Sequence, residues 1–204
     1  MKKLLLIILV LVLAGLVAYK LTTKKETQPE EKKDAPLAIN KNSGPFNASF
    51  SKMMSDYYTL KDGLVNWDTL VVNKAAKDLQ ISANDLNLKD LRADSSIVGT
   101  AQNLASSMSS ESAGLIGETT IEQKRRSFNV LTDELYNLIR TVRYDGEVIY
   151  HVKCPMAFDD SSEGYWLSNT NKIVNPYLGN KHPTYKNKMV GCGEIVDSLI
   201  FSKQ

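Results

Sequence analysis

With 204 residues, the chain is long enough for one domain with a real hydrophobic core plus a tail or anchor. Its 25 basic and 23 acidic residues give a formal charge of +2, and setting Lys2 and Lys3 aside leaves 23 of each sign. No basic field is present to collect phosphates, so nucleic acid is excluded as a working partner.

The N-terminus carries the first signal. Lys2 and Lys3 precede an unbroken apolar run from Leu4 to Tyr19, which Lys20 closes. This is the form of a secretory signal or of an uncleaved signal-anchor, and it is expected to bring the chain to a membrane. A cut after Ala18 would place Leu16 three residues before the cut, and a cut after Gly15 would place Leu13 there, where a small residue is needed. The run holds no Cys, which excludes lipid attachment. Its 16 residues reach roughly 24 Å as a helix. Snorkelling of Lys3 and Lys20 with local thinning closes the gap to a hydrocarbon core of about 30 Å. The signal-anchor is therefore the favoured reading of residues 1–19, with a cleaved signal as the alternative. Either puts the remainder in the periplasm or cell envelope, tethered to the inner membrane or secreted. Residues 20–45 mix both charges with Thr, Gln, Asn and Pro and lack apolar periodicity, so they read as a flexible tether.

From residue 46 the pattern is helical, and residues 46–204 read as a single globular domain. Phe46, Phe50, Met53, Tyr57, Leu60 and Leu64 recur at spacings of 4, 3, 4, 3 and 4 and fall on one helix face. A second helix is expected to start at Asn66 or Asp68 and to turn Leu70, Val71, Ala75 and Leu79 inward. A third carries Ile97, Ala101, Leu104 and Met108, with Ser106, Ser107, Ser109 and Ser110 as its polar side. The fourth holds Ile121, Phe128, Leu131, Leu135, Leu138 and Val142, and Thr119 with Glu122 forms a capping-box pattern. Met53, Met54 and Met108 read as core filling. The fold expected is mainly α, an antiparallel four-helix bundle over residues 46–144 with a small C-terminal β/loop cap over 145–204.

After Asp145 and Gly146 the period changes to two. Val148, Tyr150 and Val152 alternate with Ile149, His151 and Lys153, which predicts a short strand. Both Cys and both His of the chain follow within the cap. Asp159, Asp160 and Glu163 sit in a Ser- and Gly-rich stretch and read as a solvated turn. Trp166 is expected to pack against the bundle.

The cap contains Cys154, Pro155, Met156, Ala157 and Phe158, then Gly164, then Trp166, Leu167 and Ser168. Ile173, Asn175, Pro176, Tyr177 and Gly179 follow, and Met189 with Cys192, Gly193 and Glu194 ends the series. This pattern resembles a bacterial exported domain-of-unknown-function family, and the helical stretch before it is similar in length and layout. The resemblance covers roughly residues 46–200. That family is also found appended to periplasmic adaptor subunits of heavy-metal efflux systems, which implies copper or silver handling and efflux components as partners.

The chemistry of the same residues agrees. Cys thiolates and Met thioethers are soft ligands suited to Cu(I) or Ag(I). Cys154 and Met156 lie two apart on an extended chain and can point the same way. Met189 and Cys192 lie three apart, which suits one turn. Together they form a candidate S₄ metal site, with His182 as a substitute for one thioether. Strand parity puts His151 opposite Cys154, as an exposed strand residue.

The competing reading is a disulfide. Two Cys in an exported domain commonly pair, and closing this loop would stabilise the fold by about 4 kcal/mol. The chain would then be a stapled, non-metal interaction module that binds a partner through the bundle's outer face. The residues alone favour the staple, and the resemblance favours metal. Enzyme readings fare worse. There is no C-x-x-C, no haem-attachment motif and no phosphate-cradling Gly loop. A Cys nucleophile with His182 as base has no orienting group in view.

Overall fold

Among the described residues, each of four α-helices starts at a side chain that takes up a free backbone N–H. The computed structural model describes residues 42–159 and 161–201. The anchor, nearly all of the tether and Asp160 lie outside the described residues. α1 spans Gly44–Asn66, and Ser43 Oγ accepts from Phe46 N–H at 3.2 Å. α2 spans Thr69–Asn84, where Asp68 Oδ1 accepts from the N–H groups of Leu70 and Val71. Asp94 caps α3, Ser95–Gly117, in the same way. α4 spans Ile121–Val142 behind a capping box of Thr120 and Gln123, one residue later than the Thr119 and Glu122 pattern predicts. Thr120 has the extended backbone an N-cap needs, and the Gln123 side chain returns to its N–H.

All six stripe residues of α1 are fully buried. The second stripe is shifted. Val72, Ala75, Ala76 and Leu79 face inward, while Leu70 is 81% exposed and Val71 lies at the surface. The helix starts at the expected Asp68, and residues 72, 76, 79 and 83 share its inward face at spacings of 4, 3 and 4, with Leu70 two residues before Val72 and so on the far side. α3 departs similarly. Ala101, Ala105, Met108, Ser109, Ser112 and Leu115 are buried, so Ser109 belongs to the packed side and not to the polar one. A face this rich in small residues lets neighbouring helices approach. Lys124 on α4 is buried with it, and its Nζ donates to the carbonyls of Leu115 at 2.8 Å and Ile116 at 3.3 Å, which answers the open end of α3.

Successive helices pack on one another, α1 on α2, α2 on α3 and α3 on α4. A 3-10 turn, Leu88–Asp90, joins α2 to α3. The chain is thus mainly helical, with a small antiparallel sheet at its C-terminal end. β1 spans Ile149–Phe158, β2 Ser162–Ser168 and β3 Glu194–Leu199, in the order β2-β1-β3. Helices and sheet are joined at Tyr57. Its hydroxyl accepts from Leu167 N–H on β2 at 3.0 Å and shares a hydrogen bond with Thr132 of α4 at 2.7 Å. Asn129 of α4 adds a second joint, its Oδ1 accepting from Tyr165 N–H at 2.8 Å. Among the described residues no helix is long and apolar enough to cross a membrane.

Candidate functional site

Three elements build the site: β1, the turn that leads into β3, and the buried loop between β2 and that turn. Cys154 is paired across the ladder with Gly164 and is fully buried. Cys192 closes a turn in which its N–H donates to Met189 O at 3.0 Å. The fold carries the two cysteines, 38 positions apart, to an Sγ–Sγ distance of 4.0 Å, both as free thiols. Burial pushes the Cys154 thiol up, while the Met156 N–H and the Asn175 side chain, which face the sulfur, pull the other way.

The glycines beside the cysteines are there for room. A Cβ on Gly193, whose φ is 147°, would come within 2.7 Å of Trp166 Cη2 and 2.9 Å of Lys153 O. A Cβ on Gly164 would meet Ala157 Cβ at 2.6 Å and the Tyr177 ring. Trp166 is fully buried, with Tyr177 edge-on at 6.2 Å, so the neighbours of its indole include the cap's own loop. Its Nε1–H has no hydrogen-bond partner among the described residues.

Asn175 ties these parts together, and its role was not read from the sequence. It is fully buried. Its N–H donates to Val190 O at 2.8 Å, and its Oδ1 accepts from Tyr177 N–H at 2.8 Å and Leu178 N–H at 3.0 Å. Its Nδ2 donates to Cys192 O at 2.8 Å. The signal available was Asn before Pro and Tyr, a turn former whose side chain takes up backbone N–H groups two and three residues on.

The remaining candidates sit as follows. Met189 is half-buried at the start of the Cys192 turn and packs against the core. Met156 is also half-buried against the core, but the ladder shifts register between Cys154 and Phe158. Its side is therefore set by a bulge and not by strand alternation. His182 is engaged locally: its Nδ1 accepts from the N–H groups of Thr184 and Tyr185, and its ring stacks on Tyr185 at 4.8 Å. It lines a cleft of about 260 Å³ with Arg125, Arg126 and Tyr177 among others. In that cleft Arg125 is buried, stacked 4.0 Å over Trp67, and donates to the carbonyls of Pro176 and Leu64. Burial brings its guanidinium down to about 10, opposed by Glu122. Among the described residues no three His, Cys, Asp or Glu side chains gather into a group that could hold a metal ion, so His182 does not join the two cysteines.

His151 is not the exposed residue parity suggests. Its ring lies between Tyr136 of α4 at 4.3 Å and Tyr165 of β2 at 5.1 Å. A second register shift, between His151 and Val152 on the β3 side, lets both Ile149 and Val152 be buried. Burial lowers the His151 pKa, and the Asp197 carboxylate opposes that. Asp159 lies in the exposed turn after β1 and pairs with Arg126, whereas Glu163 is an exposed residue of β2 and not of the turn, and pairs with Lys153.

The donor chemistry fits a soft ion at the cysteine pair. Two sulfurs each about 2.3 Å from one ion lie at most about 4.6 Å apart, and the separation here is 4.0 Å. A disulfide needs about 2.05 Å, so closure requires the sulfurs to move together.

Residues 53–145 match a family model described as a protein of unknown function (DUF3347). Over that stretch the chain is similar to this family of unknown function. The match covers most of the helical part and stops before β1, so the cysteine pair lies outside it. Neither the curated proteins nor the solved structures contain a match.

Proposed function

We propose that this chain is a membrane-tethered, periplasm-facing protein that binds a soft monovalent ion of the Cu(I) or Ag(I) type, for sequestration or for hand-over to an efflux system. The observation that carries the reading is the pair of free thiols of Cys154 and Cys192, 4.0 Å apart. Thiolates favour soft ions over Mg²⁺ or Ca²⁺. Met156 follows Cys154 by two residues and Met189 precedes Cys192 by three, which makes them the thioethers nearest to the pair along the chain. The four helices read as an antiparallel bundle, because successive ones pack together through short connections. The bundle would serve as the platform for the cap.

The test is a pair of variants. Met156→Leu and Met189→Leu should weaken Cu(I) affinity while leaving the melting temperature of the metal-free protein nearly unchanged. Unchanged affinity in both would remove the thioethers from the site. A second reading draws on the same spacing: the pair closes to a disulfide that staples an interaction module. It predicts no effect of copper and a large loss of stability on reduction alone.

A further inference from the structure

Three of the four hydrogen-bonding positions of the Asn175 side chain are taken up by backbone groups. Its Oδ1 lies between two backbone N–H donors, those of Tyr177 and Leu178. That fixes which way round the carboxamide sits: an amide nitrogen in the Oδ1 position would face two donors with a third. The NH₂ group is therefore turned toward the cysteines. One of its hydrogens goes to Cys192 O at 2.8 Å. The backbone adds a further tie, since Asn175 N–H donates to Val190 O, two residues before Cys192. One buried, rotationally locked residue thus holds Cys192 at two points, its own carbonyl and that of Val190, while Cys154 is fixed on β1.

We propose that Asn175 is the positioning residue that keeps Cys154 and Cys192 as an open dithiol, and so favours metal capture over disulfide closure. This rests on the metal reading above. Holding Cys192 through its own carbonyl and through Val190 fixes where its sulfur can reach, and so holds it short of S–S bonding distance from Cys154. Residues that orient ligands from behind typically change metal affinity by about 10–100-fold when removed. The competing step is an oxidation. Cys154 and Cys192 lose two electrons and two protons and form one S–S bond, while glutathione disulfide accepts them and becomes two glutathione thiols.

The test uses the full chain with three substitutions. Asn175→Ala removes all side-chain bonds. Asn175→Asp keeps an acceptor for Tyr177 and Leu178 but loses the amide donors. Leu178→Ala perturbs the same loop without touching either cysteine. Each is measured for Cu(I) affinity against a competing chelator, for the sulfur-to-copper absorption in the near ultraviolet, and, metal-free, for the fraction oxidised in a glutathione redox buffer. The proposal expects both Asn175 variants to lose about 10–100-fold in affinity, to change the absorption band, and to shift toward disulfide at the same buffer ratio. Leu178→Ala should lower the melting temperature with affinity and oxidised fraction unchanged. If Asn175→Ala does not fold, Asn175→Asp decides alone. Parent-like affinity and oxidised fraction in the Asn175 variants would reduce the residue to a turn former and overturn the proposal. Absence of copper binding by the parent chain would instead overturn the metal reading, and the oxidised fractions would still report on Asn175.

Discussion

Tyr57 and Thr132 meet at 2.7 Å in the fully buried seam between α1 and α4, and the same phenol accepts the Leu167 N–H of β2. One hydroxyl therefore couples two helices to the sheet that carries Cys154. Burial drives the Tyr57 pKa far up, so it stays protonated and available to its partners across the working range. Tyr57→Phe leaves two buried polar groups unanswered. It should cost about 1–3 kcal/mol in denaturant unfolding, with both helical and sheet signals lost in one transition. A cost near zero would mean that the joint is replaced by other contacts.

Asp68 gives a purely local prediction. Its carboxylate is the cap of α2, answering Leu70 and Val71 N–H at 3.1 Å each. Asp68→Ala should cost about 1 kcal/mol, and Asp68→Asn should recover most of it. Unfolding curves of the two variants check this.

Gly193 separates room from chemistry. Its φ of 147° and the close approach of Trp166 and Lys153 O leave no place for a side chain next to Cys192. Gly193→Ala should destabilise the protein by about 1–3 kcal/mol and weaken Cu(I) binding. Gly191→Ala, where a Cβ would meet nothing within 4 Å, should change neither much. Chelator competition and thermal unfolding read both.

His151 sets a pH dependence. Burial between Tyr136 and Tyr165, opposed by Asp197 on β3, gives a folded-state pKa below the ordinary value of about 6.5. As pH falls through about 6.5 the unfolded chain takes up the proton first, so stability present above that pH is lost on the way down to the lower folded value. Asp197, whose carboxylate is lowered first by the Tyr136 hydroxyl, acts in a separate window below about pH 4. His151→Phe should flatten the melting temperature between pH 7 and 5 relative to the parent. An equal slope in both proteins would assign the effect elsewhere.

What the sequence revealed and what it concealed follow from the range of the interactions involved. The α1 stripe was readable because six large apolar residues repeat at helical spacing with nothing to shift them. On α2 the expected Ala75 and Leu79 are buried, but Leu70 and Val71 lie in the first turn beside the cap, where apolar residues are not yet enclosed by neighbouring helices and Val72 takes the inward place. Ser109 reads as polar surface from the sequence because composition does not distinguish a serine that admits a neighbouring helix from one that meets water. In the cap, two register shifts around His151 and after Cys154 broke the alternation on which the placements of His151 and Met156 rested. The approach of Cys154 to Cys192 needs the β2-β1-β3 order, which no local pattern carries. Asn175 enters the sequence reading only as one residue of the cap motif, because the bonds that tie it to Val190 and Cys192 span 15 and 17 positions.

The most direct test of the central claim is a Cu(I) titration of the purified chain under reductant against a competing chelator, with Cys154→Ser beside it. The account predicts tight one-to-one binding by the parent that disappears in the variant. Failure of the parent to take copper from the chelator, or equal binding by Cys154→Ser, would contradict it.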